Sequence, residues 1–220
     1  MIKAVIFDMD GLLIDTEPHW QATEREVLGE LGVEITPEMQ VATFGLRCDE
    51  QIRYWYDHRP WKGKNFGEVE QRYNDVMLKY FNREAELMEG ARQALDFFSS
   101  RGLPMALASS SNMELINAFL DRFGFHHFFN VVYSAEFEEF GKPHPAVYLE
   151  TARRLNVAPV NCLALEDSFH GLIAAKAARM KTIAVPEHAD PRFGASDVVL
   201  GSLNELTEEL FQQLNKIDRP

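Results

Sequence analysis

Two pairs of acidic residues are the groups in this sequence that are most suited to chemistry. Asp8 and Asp10 stand two residues apart at the end of a short apolar run, and Glu166-Asp167 closes a second such run. Close carboxylates repel each other unless a cation or a proton lies between them, and Mg²⁺ favours oxygen ligands of this kind. Either pair alone is also typical of an ordinary turn. Together they indicate an acidic centre in which the carboxylate of Asp8 is a candidate nucleophile.

Two further groups supply what phosphoryl transfer needs besides carboxylates, namely donors for phosphate oxygens and a positive charge. Ser109, Ser110 and Ser111 precede a predicted helix, where hydroxyl and backbone N–H groups can hold an anion. Lys142, within residues 141–145, is the candidate for neutralising phosphate. A helix N-cap and a solvated lysine are the ordinary alternatives. Because all four groups follow in order at strand ends, the sequence favours phosphoryl transfer.

The elements that must position these groups alternate between strand and helix. Apolar runs at 4–7, 103–108, 162–165 and 181–185, with a weaker one at 129–133, are typical of buried parallel strands. Helical patterns lie between them. This alternation predicts an α/β fold, with a Rossmann-like parallel sheet covered by helices on both faces. Ligands bind at the carboxyl ends of such strands, so we expect the four groups at one edge of the sheet.

One long segment, residues 15–88, interrupts this alternation with helical patterns that have no convincing strand between them. We therefore predict an α/β core domain made of residues 1–14 and 89–220, and an inserted α-helical cap domain at 15–88. The insertion leaves the sheet just after the first strand, so it is expected to cover the site as a lid. Asp15 and Glu17 are expected to cap its first helix.

Composition and charge indicate which kinds of molecule the protein can bind. The chain has 220 residues, 46% of them hydrophobic, and a net charge of -12, which argues against a nucleic-acid groove or an anionic membrane surface. Cys48 and Cys162 have no paired spacing, which fits a reducing compartment. The first residues show neither a long apolar stretch nor a cleavage site. We expect a cytoplasmic protein that acts on a small molecule, as a monomer or a weak homo-oligomer.

The order of these motifs resembles the haloacid dehalogenase superfamily over nearly the whole chain. The residues that carry the resemblance are Asp8-x-Asp10-Gly11, Ser109, Lys142 and Glu166-Asp167. The resemblance implies a phosphoric monoester hydrolase that uses Mg²⁺, with Mn²⁺ as a substitute. Asp10 indicates a hydrolase, because the true dehalogenase branch lacks this second aspartate. The segments 7–18, 45–47, 108–111, 165–168 and 190–193 look most like bacterial phosphatases for sugar phosphates, in particular 2-deoxyglucose 6-phosphate and hexitol phosphates.

The same resemblance implies a role for each residue. Asp8 would be the nucleophile that forms an aspartyl phosphate, and Asp10 the general acid and base. The substrate phosphate would be bound by Asp8, Met9, Asp10, Ser109, Ser110 and Lys142. The metal would be held by the Asp8 side chain, the Asp10 backbone carbonyl and Asp167, with Glu166 behind these ligands. Beyond these roles, Arg47, His19 and Trp20 are candidate cap contacts, for which an arginine at the surface and packing of Trp20 in the core of the cap are the ordinary alternatives.

Two alternatives to a phosphatase stay open at this point. β-Phosphoglucomutases resemble the core equally, but they carry a cap histidine at the place where this chain has Trp20, and His19 is one position away. A receiver-type switch without enzymatic activity also places strand-end acids, a hydroxyl residue and a lysine around a phosphorylatable aspartate. Asp10 and the large insertion speak against the switch, because a receiver must keep its phosphate and a phosphatase must lose it.

Overall fold

A computed structural model describes residues 1–217 and contains a six-stranded sheet in the order β3-β2-β1-β4-β5-β6. The strands are β1 (Ala4–Phe7), β2 (Met105–Ser109), β3 (Val131–Ser134), β4 (Cys162–Glu166), β5 (Lys181–Ala184) and β6 (Val198–Val199). All neighbouring strands are parallel. The α/β fold class expected from the sequence is therefore confirmed.

The helices fall into two groups along the chain. Those between β1 and β2 that belong to the insertion are α1 (Glu17–Glu30), α2 (Pro37–Gln40), α3 (Cys48–His58) and α4 (Phe66–Arg83). Those that accompany the sheet are α5 (Ala91–Ser99), α6 (Met113–Phe123), α7 (Ala146–Arg154), α8 (Phe169–Ala177) and α9 (Glu208–Lys216). None of the helices in the described part of the chain is long and apolar enough to cross a membrane.

The sheet is covered on both faces, which explains why its strands read as continuous apolar runs. Successive side chains of a strand point to opposite faces, so Val5 and Phe7 of β1 join one hydrophobic cluster while Ala4 and Ile6 join the other. The first cluster takes in residues of α5, α6 and α9, and the second takes in residues of α7 and α8. The central strand β1 thus enters its loop from a rigid, fully buried position.

The loop after β1 turns sharply enough to place both aspartates at the same edge of the sheet. The Asp8 N–H still donates to the Leu165 carbonyl at 3.0 Å, as in the β1–β4 ladder. The Leu13 N–H then donates back to the Met9 carbonyl at 2.8 Å, and Gly11 adopts a φ of 71°. Such a positive φ favours glycine. The turn begins at Met9, which leaves Asp10 beside the ends of β1 and β2.

The two chain segments that join the insertion to the sheet lie side by side. Ile14 forms an antiparallel bridge with Leu87, and the Asp15 N–H donates to the Glu86 carbonyl at 3.0 Å. The Met88 N–H donates to the carbonyl of Leu13, also at 3.0 Å. The insertion therefore leaves and returns at one point, a few residues from Asp10.

Within the insertion, α1, α3 and α4 pack around a hydrophobic cluster of their own that includes Val27, Ile52 and Tyr73. The C-terminal half of α4 behaves differently, because Met77 and Phe81 belong to the cluster of the sheet. The last turns of α4 thus anchor the insertion on the core.

The start of α1 differs from the sequence-based expectation. Its N-cap is Thr16, with no side-chain capping bond, so the prediction that Asp15 and Glu17 cap this helix is wrong. The Thr16 hydroxyl donates instead to Oδ1 of Asp10, at 2.9 Å. A conventional cap is found at α4, where Asn65 and Glu68 form a capping box. The polar group at the start of α1 is used for a tertiary contact.

Candidate active site

The carboxyl ends of the strands open onto a cavity of about 280 Å³ between the sheet and the insertion. The sheet contributes Asp8, Asp10, Ser110, Lys142 and Asp167 to its lining. Asp8 follows β1, Ser110 follows β2 and Asp167 follows β4, as expected for a parallel sheet whose strand ends meet at one edge. The cavity therefore gathers residues from all four groups that the sequence singled out.

A buried lysine joins two of the acidic groups. The Lys142 Nζ lies 2.5 Å from Asp8 Oδ1 and 2.6 Å from Glu166 Oε1, and only 2% of the lysine is exposed. Burial lowers the pKa of Lys142, but contact with the two carboxylates outweighs burial and holds this pKa above its ordinary value. The lysine is therefore permanently charged and bound to the candidate nucleophile.

Glu166 is used to hold Lys142 and faces away from the cavity lining. Its Oε1 accepts a hydrogen bond from the Tyr148 hydroxyl at 2.5 Å, and its Oε2 accepts one from the Ser168 hydroxyl at 3.2 Å. A Cβ atom at Gly171 in α8 would overlap the Glu166 carboxylate. Glu166 thus supports the lysine from behind, and glycine at position 171 makes room for it.

Asp167 belongs to a buried acidic cluster at the floor of the cavity. One carboxylate oxygen from each of Asp8, Glu166 and Asp167 lies within 4.8 Å of the other two. Burial raises the pKa of Asp8 and of Asp167, and the charges of Asp8 and Glu166 raise that of Asp167 further. Among residues 1–217, no lysine or arginine forms an ion pair with Asp167. A hard divalent cation would relieve this repulsion, so an oxygen-only donor set of this kind fits Mg²⁺ or Mn²⁺.

Asp10 accepts hydrogen bonds on both carboxylate oxygens. Its Oδ1 is bound by the Thr16 hydroxyl at 2.9 Å and the Trp20 indole N–H at 3.0 Å. Its Oδ2 is bound by the hydroxyls of Ser109 at 3.1 Å and Ser111 at 2.8 Å. The carboxylate of Asp10 therefore connects the end of β2 with the start of the insertion.

The serines are arranged differently from the roles that the resemblance implies. The hydroxyl of Ser109, expected to face phosphate, is fully buried and donates to Asp10, whereas Ser110 and Ser111 line the cavity. Ser111 belongs to the run of hydroxyls that the sequence singled out, although the resemblance gives a role to Ser109 and Ser110 alone. The direction of each hydroxyl depends on the turn after β2, which sequence spacing alone does not specify.

Some of the expected site residues lie away from the cavity. Met9 and Glu166 are buried behind its lining, and His19 stacks on the ring of Tyr80. Arg47 lines the cavity, but its guanidinium donates to the carbonyls of Ala135 and Glu138, each at 2.8 Å. Arg47 therefore ties the insertion to the loop after β3.

The side of the cavity formed by residues 15–88, called here the insertion wall, is mostly polar and carries more acidic than basic side chains. Its lining residues are Glu17, Trp20, Gln21, Glu24, Gln40, Thr43, Phe44, Gly45, Leu46, Arg47, Cys48, Asp49, Gln51, Arg53, Glu70 and Asn74. Amide groups can both donate to and accept from hydroxyls, and carboxylates can accept from them. Sequence reasoning found only Trp20 and Arg47 here, because the helical pattern does not tell which polar residues face inwards.

Comparison with known proteins gives consistent likenesses. A family model described as haloacid dehalogenase-like hydrolase matches residues 5–185. Hexitol phosphatase B of Escherichia coli (strain K12) is 43% identical over 210 residues, which make up 94% of this chain and 95% of that protein. The phosphorylated carbohydrates phosphatase of Thermotoga maritima is 32% identical over 182 residues, 83% of this chain and 84% of that protein. β-Phosphoglucomutase from Clostridium difficile has the same fold, with a TM-score of 0.86 at 24% identity and 97% coverage of both chains.

The contact between Gly171 and Glu166 predicts a loss of stability on adding one methyl group. Gly171→Ala forces the buried carboxylate away from Lys142, so we expect the free energy of unfolding to fall by about 1–3 kcal/mol. Gly29→Ala is the matched control, because Gly29 also lies in a helix and has no neighbour within 4 Å of its added Cβ. That change should stabilise the protein by about 0.5–1 kcal/mol. Urea unfolding measures both, and equal effects of the two substitutions would contradict the contact.

Glu17 predicts a pH-dependent stability. Burial raises the pKa of Glu17 to about 7 from its ordinary value of 4.5, and its hydrogen bond with Gln21 offsets only part of this shift. Between these values the unfolded chain releases the proton that the folded chain keeps, so rising pH favours unfolding until the folded group has ionised.

Glu17→Gln removes this penalty. We expect the free energy of unfolding of Glu17→Gln, relative to that of the natural protein, to increase as the pH rises from 5 to 8. Above pH 8 this difference should change little. Urea unfolding at both pH values, without added divalent metal, provides the measurement. Glu34→Gln, at an exposed position, controls for the loss of one negative charge. A difference between Glu17→Gln and the natural protein that is the same at both pH values would contradict the prediction.

Proposed function

The chain belongs to the haloacid dehalogenase-like hydrolase family, and we propose that it is a phosphatase that hydrolyses hexitol or hexose monophosphates through an aspartyl phosphate on Asp8. The observation that carries this proposal is the 2.5 Å contact between Asp8 and the buried Lys142, at the floor of a cavity with a polar opposite wall. The likeness to hexitol phosphatase B over 94% of the chain supports the choice of substrate class.

In the proposed reaction, Asp8 is the nucleophile and Asp10 is the general acid and base. A carboxylate oxygen of Asp8 attacks phosphorus in line, and the bond between phosphorus and the sugar oxygen breaks. Asp10 gives its proton to that leaving oxygen. A water then loses a proton to Asp10 while its oxygen attacks the aspartyl phosphate, which restores the Asp8 carboxylate and yields inorganic phosphate. Lys142 balances negative charge on Asp8 and the phosphate in both steps.

The metal site in this proposal uses the Asp8 side chain, Asp167 and the Asp10 backbone carbonyl, and Ser110 serves the phosphate. When bound, Mg²⁺ neutralises phosphate charge and reduces its repulsion by the carboxylates.

Residues 15–88 act as a cap on the core formed by residues 1–14 and 89–220. We place the enzyme in the cytoplasm, as a monomer or weak homo-oligomer. Its net charge of -12 argues against a nucleic-acid partner.

The insertion wall favours a leaving group that is uncharged and rich in hydroxyls. The wall contains the amides of Gln21, Gln40 and Gln51, and its basic residues, among those described, are Arg47 and Arg53. Arg47 already pairs with Asp49 at 2.5 Å. A mutase that works through a phosphorylated enzyme must hold a sugar with two phosphate groups at once. A second phosphate would face this acidic wall, so we favour hydrolysis of monophosphates over mutase chemistry.

Asp8→Asn is expected to lower the rate of phosphate release from sorbitol 6-phosphate by about three orders of magnitude or more, because an amide cannot act as the nucleophile. The measurement is release of inorganic phosphate with Mg²⁺, with Mn²⁺ and with a chelator, and we expect activity only with metal. Asp57→Asn, on an exposed position of α3, is the matched control and should keep full activity. Full turnover by Asp8→Asn would contradict the mechanism.

A second prediction separates the phosphatase from the mutase. With β-glucose 1-phosphate and a trace of glucose 1,6-bisphosphate, we expect inorganic phosphate to accumulate and no glucose 6-phosphate to appear, as followed by ³¹P NMR. The kcat/KM for glucose 1,6-bisphosphate should lie more than about tenfold below that for glucose 6-phosphate. The reason is that the second phosphate of the bisphosphate would face the acidic side chains of the insertion wall. Formation of the 6-phosphate isomer would instead identify a mutase.

A further inference from the structure

Trp20 lies where the insertion meets the core. It belongs to the first turn of α1, and its side chain packs against both the hydrophobic cluster of the sheet and that of the insertion. The same side chain lines the cavity, and its indole N–H lies 3.0 Å from Asp10 Oδ1. One rigid ring thus contacts both hydrophobic clusters and the carboxylate between them.

The hydrogen bonds of Asp10 come from two different parts of the molecule. Oδ2 is held by Ser109 and Ser111, which follow the rigid strand β2. Oδ1 is held by Thr16, at the connection to the insertion, and by Trp20, within α1. Trp20 is therefore the donor to Asp10 that lies within α1 itself, and because an indole ring has few rotatable bonds, the position of α1 fixes that of the N–H.

From this geometry we infer that Trp20 is a positioning residue for Asp10, which lets the insertion orient the carboxylate that protonates the leaving group. The inference rests on the proposed function of Asp10 as general acid. It assigns Trp20 a part in the chemistry besides filling the hydrophobic junction. Trp20 acts only through Asp10, so its effect depends on how much the leaving group needs a proton.

Two substrates differ in this need. The alkoxide of a sugar alcohol must receive a proton from Asp10 as its bond to phosphorus breaks, whereas p-nitrophenolate is stable without one. The ratio kcat/KM reports the transfer to Asp8 and is blind to the later hydrolysis, in which Asp10 acts as base. A loss of orientation at Asp10 should therefore lower kcat/KM for sorbitol 6-phosphate and spare that for p-nitrophenyl phosphate.

Trp20→Phe tests the inference, because it keeps most of the apolar ring and removes the N–H. We expect kcat/KM for sorbitol 6-phosphate to fall about tenfold, the factor for one hydrogen bond to a charged group, and that for p-nitrophenyl phosphate to change less than about twofold. Trp61→Phe is the matched control. Trp61 is also buried in the insertion, and its indole N–H donates to the carbonyl of Lys64 at 3.3 Å. Both substrates should keep their kcat/KM in this control.

Equal losses on the two substrates in Trp20→Phe would mean structural damage and would overturn the inference, as would no loss on either. An independent measurement follows the ¹⁵N indole signals, of which the one absent from Trp20→Phe belongs to Trp20. In Asp10→Ala this signal should shift while those of Trp55 and Trp61 stay in place, and an unchanged Trp20 signal would overturn the inference. If the natural protein released phosphate from neither substrate, the proposed function would fail, and the indole signal would still decide whether the contact exists.

Discussion

The contact of Lys142 with Asp8 and Glu166 is the constraint on which the rest of the site depends. Three carboxylates are buried at the ends of adjacent strands, where removal from water penalises their charged forms. The lysine offsets part of that penalty, and Tyr148 and Ser168 fix the far side of Glu166. Gly171 leaves the space that Glu166 fills, and Gly11 does the same for Asp167, since a Cβ at either glycine would overlap the carboxylate. Glycine is thus required at positions 11 and 171 because the carboxylates of Asp167 and Glu166 occupy the space beside the backbone there.

Contacts between the insertion and the core around the cavity are largely polar. The Arg47 guanidinium donates to two carbonyls of the loop after β3, and Glu50 accepts from the Gly141 N–H at 2.8 Å. On the other side, a ring nitrogen of His170 lies 2.7 Å from the Phe44 carbonyl. Water can replace polar contacts of this kind, so separating them costs far less than exposing a packed apolar face. This suits an insertion that must let a substrate in, while the end of α4 keeps it attached.

Sequence reasoning worked where one physical rule decides the outcome. Parallel strands place their carboxyl ends at one edge, so apolar runs ending in polar groups were enough to bring Asp8, Lys142 and Asp167 together. The same reasoning did not predict that the buried hydroxyl of Ser109 donates to Asp10, and it gave no sign that the indole N–H of Trp20 does so. Both depend on the direction of a single hydrogen bond, which is set by turns and by contacts between distant segments. Spacing along the chain contains no information about such directions.

Charge at the cavity floor bears on the need for a metal. Asp8, Glu166 and Asp167 form one cluster, and Lys142 contacts the first two, so the carboxyl groups outnumber the lysine before any substrate arrives. A phosphate monoester adds further negative charge, and burial prevents water from screening it. Burial, and after it the charges of neighbouring carboxylates, raise the pKa of Asp8 and of Asp167. A protein of net charge -12 offers no general attraction for such a substrate, so the positive charge that admits phosphate has to be supplied within the cavity. Lys142 is already engaged with two carboxylates, so a divalent cation beside Asp167, as proposed above, would supply further positive charge for binding phosphate.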